Sequence, residues 1–196
     1  MAILDPIRAT ILATRVIPRV DRRLAAKFDL TDDQRSIAIV TADIDDVLYA
    51  SLDEATKKAD CSVVYARSFY AGSGHASGPL SGEIIGVLAA PDPEEARAGL
   101  AACVDYAQTK AWFESANEEG THAFFAHPIA RTGSFLSREA GVPLGTSLGY
   151  VIAPPLEATF ALDAALKAAE VDLWTSAAPS ARTSRSSSAT ASRRRR

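Results

Sequence analysis

Leu52-Asp53-Glu54-Ala55-Thr56-Lys57-Lys58-Ala59-Asp60 returns as Leu162-Asp163-Ala164-Ala165-Leu166-Lys167-Ala168-Ala169-Glu170, an offset of 110 residues between Asp53 and Asp163. Upstream, Ser36–Ala42 aligns with Ser147–Ala153, and Leu24–Leu30 aligns with Leu136–Val142. Three pieces in one order at nearly one spacing indicate one fold unit used twice.

Copy one reads as alternating strands and helices. Ser36–Thr41 is a β-branched run, as a strand prefers. Ala42–Asp46 carries turn residues, so Val47–Ser51 is predicted as the return strand of a hairpin. Asp53 is then a plausible N-cap for a helix through Ala59. Cys61–Tyr70 is strand-like, Ala71–Gly82 is a glycine-rich loop, and Glu83–Ala90 is an apolar strand. Asp92-Pro93-Glu94-Glu95 opens a helix, with proline in the first turn and acids at its positive end.

Copy two repeats the plan: strand Leu148–Ala153, a Pro154-Pro155 turn, strand Glu157–Ala161, helix Asp163–Ala169 and strand Val171–Trp174. The predicted class is α/β, α+β sandwich-like, with the second domain incomplete. After Trp174 come only Ala, Pro, Ser, Thr and Arg. That composition builds no core and predicts disorder. The expected boundaries are a first domain over 1–110, a second over 111–174 and a tail over 175–196.

Composition narrows the function classes. Hydrophobic content of 47% and charged content of 23% describe a globular chain. No apolar run approaches the ~18 residues of a membrane span, and the N-terminus lacks signal-peptide regions. Cys61 and Cys103 form no metal or disulfide framework and read as free thiols of a reducing cytoplasm. The net charge of −3 conceals an asymmetry. Six arginines follow Trp174 with no acid, so the 15 basic and 24 acidic residues before it carry −9. Such a body argues against nucleic acid as a partner, and no fold-level reader accompanies Arg193–Arg196.

No catalytic set assembles. Asp43, Asp45 and Asp46 share one segment and could hold a cation, although an Asp-rich turn is the plainer reading. Glu83 enters an apolar strand from a flexible loop, where a carboxylate can be partly enclosed, although a strand-end Glu on the solvent face is the commoner arrangement. His122 and His127 lack the HExxH spacing of a zinc enzyme. Ser134 lies outside any nucleophile elbow. Trp112 and Phe113 read as core or interface aromatics.

Ala2–Arg8, Ala42–Val47, Val63–Gly72, Pro93–Leu100, Ser134–Ser137 and Ala153–Thr159 together resemble the tandem-domain shell proteins of ethanolamine-utilization bacterial microcompartments, the EutL type. The resemblance runs from residue 1 to about 173. It implies two circularly permuted microcompartment domains per chain. It also implies a homotrimer that tiles with other shell proteins in the cytoplasm, a gated central pore and small acidic pores. It places ethanolamine against positions matching Asp45, Asp46 and Glu83, with Phe113 nearby. The gating loop corresponds to Ala71–Gly82. No cofactor is required, but zinc is associated with the family's open form, and His127 and Glu157 match the positions expected to hold it. No enzymatic activity, nucleic acid or membrane is implied. The alternative is a small-molecule sensor or enzyme on duplicated α/β domains, using Asp45 and Glu83 chemically.

The resemblance breaks where the arginine-rich tail begins. GC-rich codons read out of frame give Ala, Arg, Ser and Pro, so a frame shift near Trp174 is the expectation. Copy one calls there for a loop, a strand and a closing helix. Their loss predicts an exposed sheet edge, poor trimer assembly and aggregation.

Overall fold

A computed structural model describes residues 2–68, 84–174 and 189–193. They divide into two compact units. The first-copy unit is Arg8–Ala111 with Gly133–Phe135, and the second-copy unit is Met1–Ile7, Trp112–Thr132 and Leu136–Arg196. The first seven residues therefore join the later unit, where the sequence reading puts them with 8–110. The reason is backbone pairing. Strand β1, Pro6–Arg8, belongs to the second-copy sheet, and Leu4 N–H donates to Ser115 O while Ser115 N–H donates to Asp5 O.

The first-copy unit runs β2 (Ile11–Ile17), α1 (Arg22–Lys27), β3 (Ser36–Ala42), α2 (Asp45–Lys58), β4 (Ser62–Ser68), β5 (Ile84–Ala90) and α3 (Pro93–Thr109). Its strands form an antiparallel sheet in the order β2-β3-β5-β4. Ile37, Val87 and Ala89 lie on one face of it, covered by Ile17, Val20, Phe28 and Leu30. The opposite face meets the helices. A Cβ on Gly86 would sit 2.7 Å from Leu52 Cδ1, so the bare glycine lets α2 press against β5.

Helix α2 corrects the hairpin reading. Val47–Ser51 is helical, not a return strand, and Asp53 lies inside the helix, not at its cap. Val47, Leu48, Ser51, Leu52 and Ala55 are buried, and that spacing makes one helical stripe. Asp45 and Asp46 occupy the positive first turn, and Lys57 and Lys58 the last. Helix α3 follows the sequence more closely: Asp92 caps it, accepting from Glu94 N at 2.8 Å and Glu95 N at 2.9 Å.

The second-copy unit continues with β6 (Trp112–Ser115), β7 (Ala123–Ile129), α4 (Ser134–Ala140), whose first two residues belong to the other unit, β8 (Leu148–Ile152), α5 (Pro155–Ala168), β9 (Val171–Trp174) and β10 (Ala189–Arg193). Its sheet order is β1-β6-β7-β8-β10-β9. The stretch β7-β8-β10-β9 repeats β2-β3-β5-β4 strand for strand, so the duplication is written into the topology. Ile129, Val142 and Leu148 form a small core against Leu136, Ala140 and Tyr150.

Two further expectations change here. Glu157–Ala161 belongs to α5, with proline at the start of the helix, and is not a strand. Ala189–Arg193 is a strand within the segment whose composition predicts disorder. It pairs antiparallel with both β8 and β9, as β5 does with β3 and β4. A ladder is built from main-chain N–H and C=O groups, which every residue of this run supplies whatever its side chain. The remainder of 175–196 lies outside the described residues. Among those described, no helix is long and apolar enough to cross a membrane.

Candidate functional site

The start of α2 gathers the acidic residues. Asp43 is committed to structure: its Oδ1 accepts from Thr10 N at 2.6 Å, and its own N–H donates to Thr10 O. Asp45 and Asp46 follow in the first turn, both half-buried. Asp45 Oδ1 accepts from Asp46 N at 2.9 Å, an internal substitute for the side-chain cap that Ile44 cannot supply. Two half-buried carboxylates thus stand in the first turn of the helix.

Tyr49 stands one turn later on the same helix, three and four residues from the two aspartates, and so shares their face. Its Oη accepts from Ser68 N at 3.1 Å. Phe135 stacks on its ring at 6.1 Å between centroids. Sequence reading missed the place of Tyr49 because a strand over 47–51 would turn alternate residues to opposite faces. A helical reading of Asp45–Ala55 would have put Tyr49 beside the aspartates.

A second polar group fixes Gly133–Phe135 to the same unit. The fully buried Asp53 carboxylate accepts from Gly133 N at 2.7 Å and faces Lys57 Nζ at 3.5 Å. Ser134 N–H donates to Thr56 Oγ1 at 3.0 Å. A Cβ at residue 133 would run into Thr56 Oγ1 and would lie 2.5 Å from Asp53 O. Ser134 is thus a helix-start residue beside a required glycine. Near this network, burial and then the Glu54 and Asp53 charges push the Tyr106 hydroxyl up to about 12.

The other expected site residues lie outside α2. Glu83 and the Ala71–Gly82 loop lie outside the described residues. Phe113 belongs to the second-copy unit, where it stacks on buried Phe125 at 5.1 Å; His127 stacks on the same ring at 5.2 Å, and Tyr150 meets it edge-on. His122 is engaged in a turn with Asn117 and Thr121. Glu157 is exposed in the first turn of α5. Among the described residues no three His, Cys, Asp or Glu side chains gather as a metal site. His127 and Glu157 alone fall short of the four ligands a closed zinc site takes.

No family model matches the chain. It is 49% identical over 175 residues to the bacterial microcompartment shell protein EutL of Clostridium perfringens, covering 89% of this chain and 81% of that one. The crystal structure of ethanolamine utilization protein EutL from Leptotrichia buccalis superposes with a TM-score of 0.84 at 52% identity, over 89% of this chain and 80% of that one. A EutL crystal structure from Clostridium perfringens gives 0.86 at 44% identity, over 97% and 86%. These relatives are shell proteins, so the sensor or enzyme alternative gives way. With its duplicated four-strand order and this identity along most of its length, the chain belongs to the EutL family of bacterial microcompartment shell proteins.

Proposed function

We propose that this shell protein assembles as a homotrimer with other shell proteins around an ethanolamine-utilizing microcompartment, and that its acidic site attracts ethanolamine. The observation that carries the site is the pair of half-buried carboxylates, Asp45 and Asp46, in the first turn of α2. Ethanolamine is a cation near neutral pH. Unit charges 4 Å apart attract by about 1 kcal/mol in water and about 4 kcal/mol at an effective dielectric of 20. Partial enclosure therefore turns a weak surface attraction into a useful one, against the cost of desolvation. Glu83 and Phe113 are assigned to ethanolamine by the family resemblance alone. Solute passage through a gated central pore belongs to the same reading. The reading needs no cofactor. Zinc at His127 and Glu157 would have to draw further ligands from outside the described residues.

Titration calorimetry with ethanolamine, paired with light scattering, tests the proposal. Binding that Asp45→Asn weakens, on a particle of trimer mass, is the expected result. A well-folded monomer that ignores ethanolamine would overturn it.

A further inference from the structure

Helices α2 and α5 correspond residue by residue at the 110-residue offset, Asp45–Lys58 to Pro155–Ala168. In the first copy α3 lies beside α2. Each helix follows its strand after a short connection, and β3 and β5 are antiparallel, so the two helices run in opposite directions. Among the described residues nothing takes that place in the second copy. The gap extends onto the sheet: Ala38 and Val40 are fully buried, whereas their counterparts Gly149 and Val151 are half-buried. On the helix, Leu156, Phe160, Ala164 and Ala168 follow at four-residue steps on one face, and all are exposed. Phe160 stands where the first copy has buried Ala50. Ala164 stands where it has Glu54, whose charge acts on Tyr106 of α3. The exposed row therefore borders the empty place.

We infer that this face binds a second copy of itself: α5 of another chain lies antiparallel in the place that α3 takes beside α2. One register makes the row self-complementary. Centred on Leu162, antiparallel pairing sets Phe160 of each copy against Ala164 of the other, Leu156 against Ala168, and Glu157 against Lys167. Large side chains meet small ones, and acid meets base at both ends. Glu157 lies in the first turn and Lys167 in the last, so the helix ends also meet with opposite charge. Such an isologous contact closes on itself. One helix row is a small interface, below the ~1,200 Å² of stable complexes, so pairing depends on concentration and leaves α5 open in dilute solution. The contact is independent of the acidic site and of trimer assembly.

Sedimentation equilibrium on the full chain at low salt, over a concentration series, tests the pairing. The average mass of the wild type should rise with concentration above its smallest particle, whether that is one chain or three. Phe160→Ala should weaken the association about tenfold or more. Glu157→Lys and Lys167→Glu are surface changes with little cost to folding. Each should weaken the association roughly fivefold, because like charges then meet twice. An equimolar mixture of those two variants should associate as the wild type does, since each supplies the charge the other lacks. Association that Phe160→Ala leaves unchanged would belong to another surface and would overturn the inference. A mixture that associates no better than its components would overturn the antiparallel pairing. A wild type whose mass does not rise with concentration defeats the inference outright, whatever it does with ethanolamine.

Discussion

Helices α2 and α5 occupy the same place in the two copies, and each is 14 residues long. Their burial differs sharply. Helix α2 buries Val47, Leu48, Ala50, Ser51, Leu52, Asp53 and Ala55, whereas α5 buries only Ala158. Leu156 is 82% exposed and Phe160 77%. The strand order is shared, so the difference lies in what covers the helix. In the first copy α3 packs on α2 and buries a stripe of small residues, Ala96, Gly99, Cys103 and Ala107. Gly99 leaves room for Cys61, whose Sγ would sit 2.8 Å from a Cβ there. Among the described residues the second copy has no counterpart of α3. A repeat can therefore preserve topology while changing the energy of its parts.

The largest effect should come from truncating the covered helix. Leu52→Ala should cost about 2–5 kcal/mol in denaturant unfolding. Phe160→Ser on α5 should stay within about 0.5 kcal/mol and should reduce aggregation. A cost comparable to that of Leu52→Ala would mean that the α5 face is covered, and the contrast would collapse. Gly133→Ala should come next, at about 1–3 kcal/mol, because the new methyl meets Thr56 and the Asp53 backbone.

At neutral pH the thiols Cys61 and Cys103, the second of them on α3, should show the least effect. Burial, aided by Glu95 and Asp60, pushes Cys61 from 9.0 to about 12. Burial, aided by Cys61, does the same for Cys103. A folded state that holds these thiols neutral keeps its full stability below pH 9.0 and loses it as pH rises toward about 12. Alkylation at pH 8 should be slow for both in the folded chain and fast in denaturant. Rapid labelling of Cys103 in the folded chain would show that α3 does not seal the first copy.

Much of this contrast was legible in the sequence. The 110-residue ruler located the second copy, and the strands around Ser36–Ala42, Ile84–Ala90 and Leu148–Ile152 stood out as apolar runs between turn signals. Helices α2 and α5 were misread at their starts. Short apolar runs such as Val47–Ala50 fit strand and helix alike, and the decision is made by packing against Gly86. β10 was hidden for a different reason: its side chains signal disorder, while its place in the ladder depends on main-chain groups. At the site, Asp45 and Asp46 announced themselves by charge. The contact between Tyr49 and Ser68 could emerge only once α2 was known to be a helix. The Asp53–Gly133 contact joins residues 80 apart, and no local pattern records it.

Hydrogen exchange resolved by peptide tests the central claim most directly, because it reads both copies in one molecule. Amides of Ser36–Ala42 and Asp45–Lys58 should exchange much more slowly than those of Leu148–Ile152 and Pro155–Ala168. Equal protection of α2 and α5, or the reverse order, would contradict the account of one topology used twice with unequal cover.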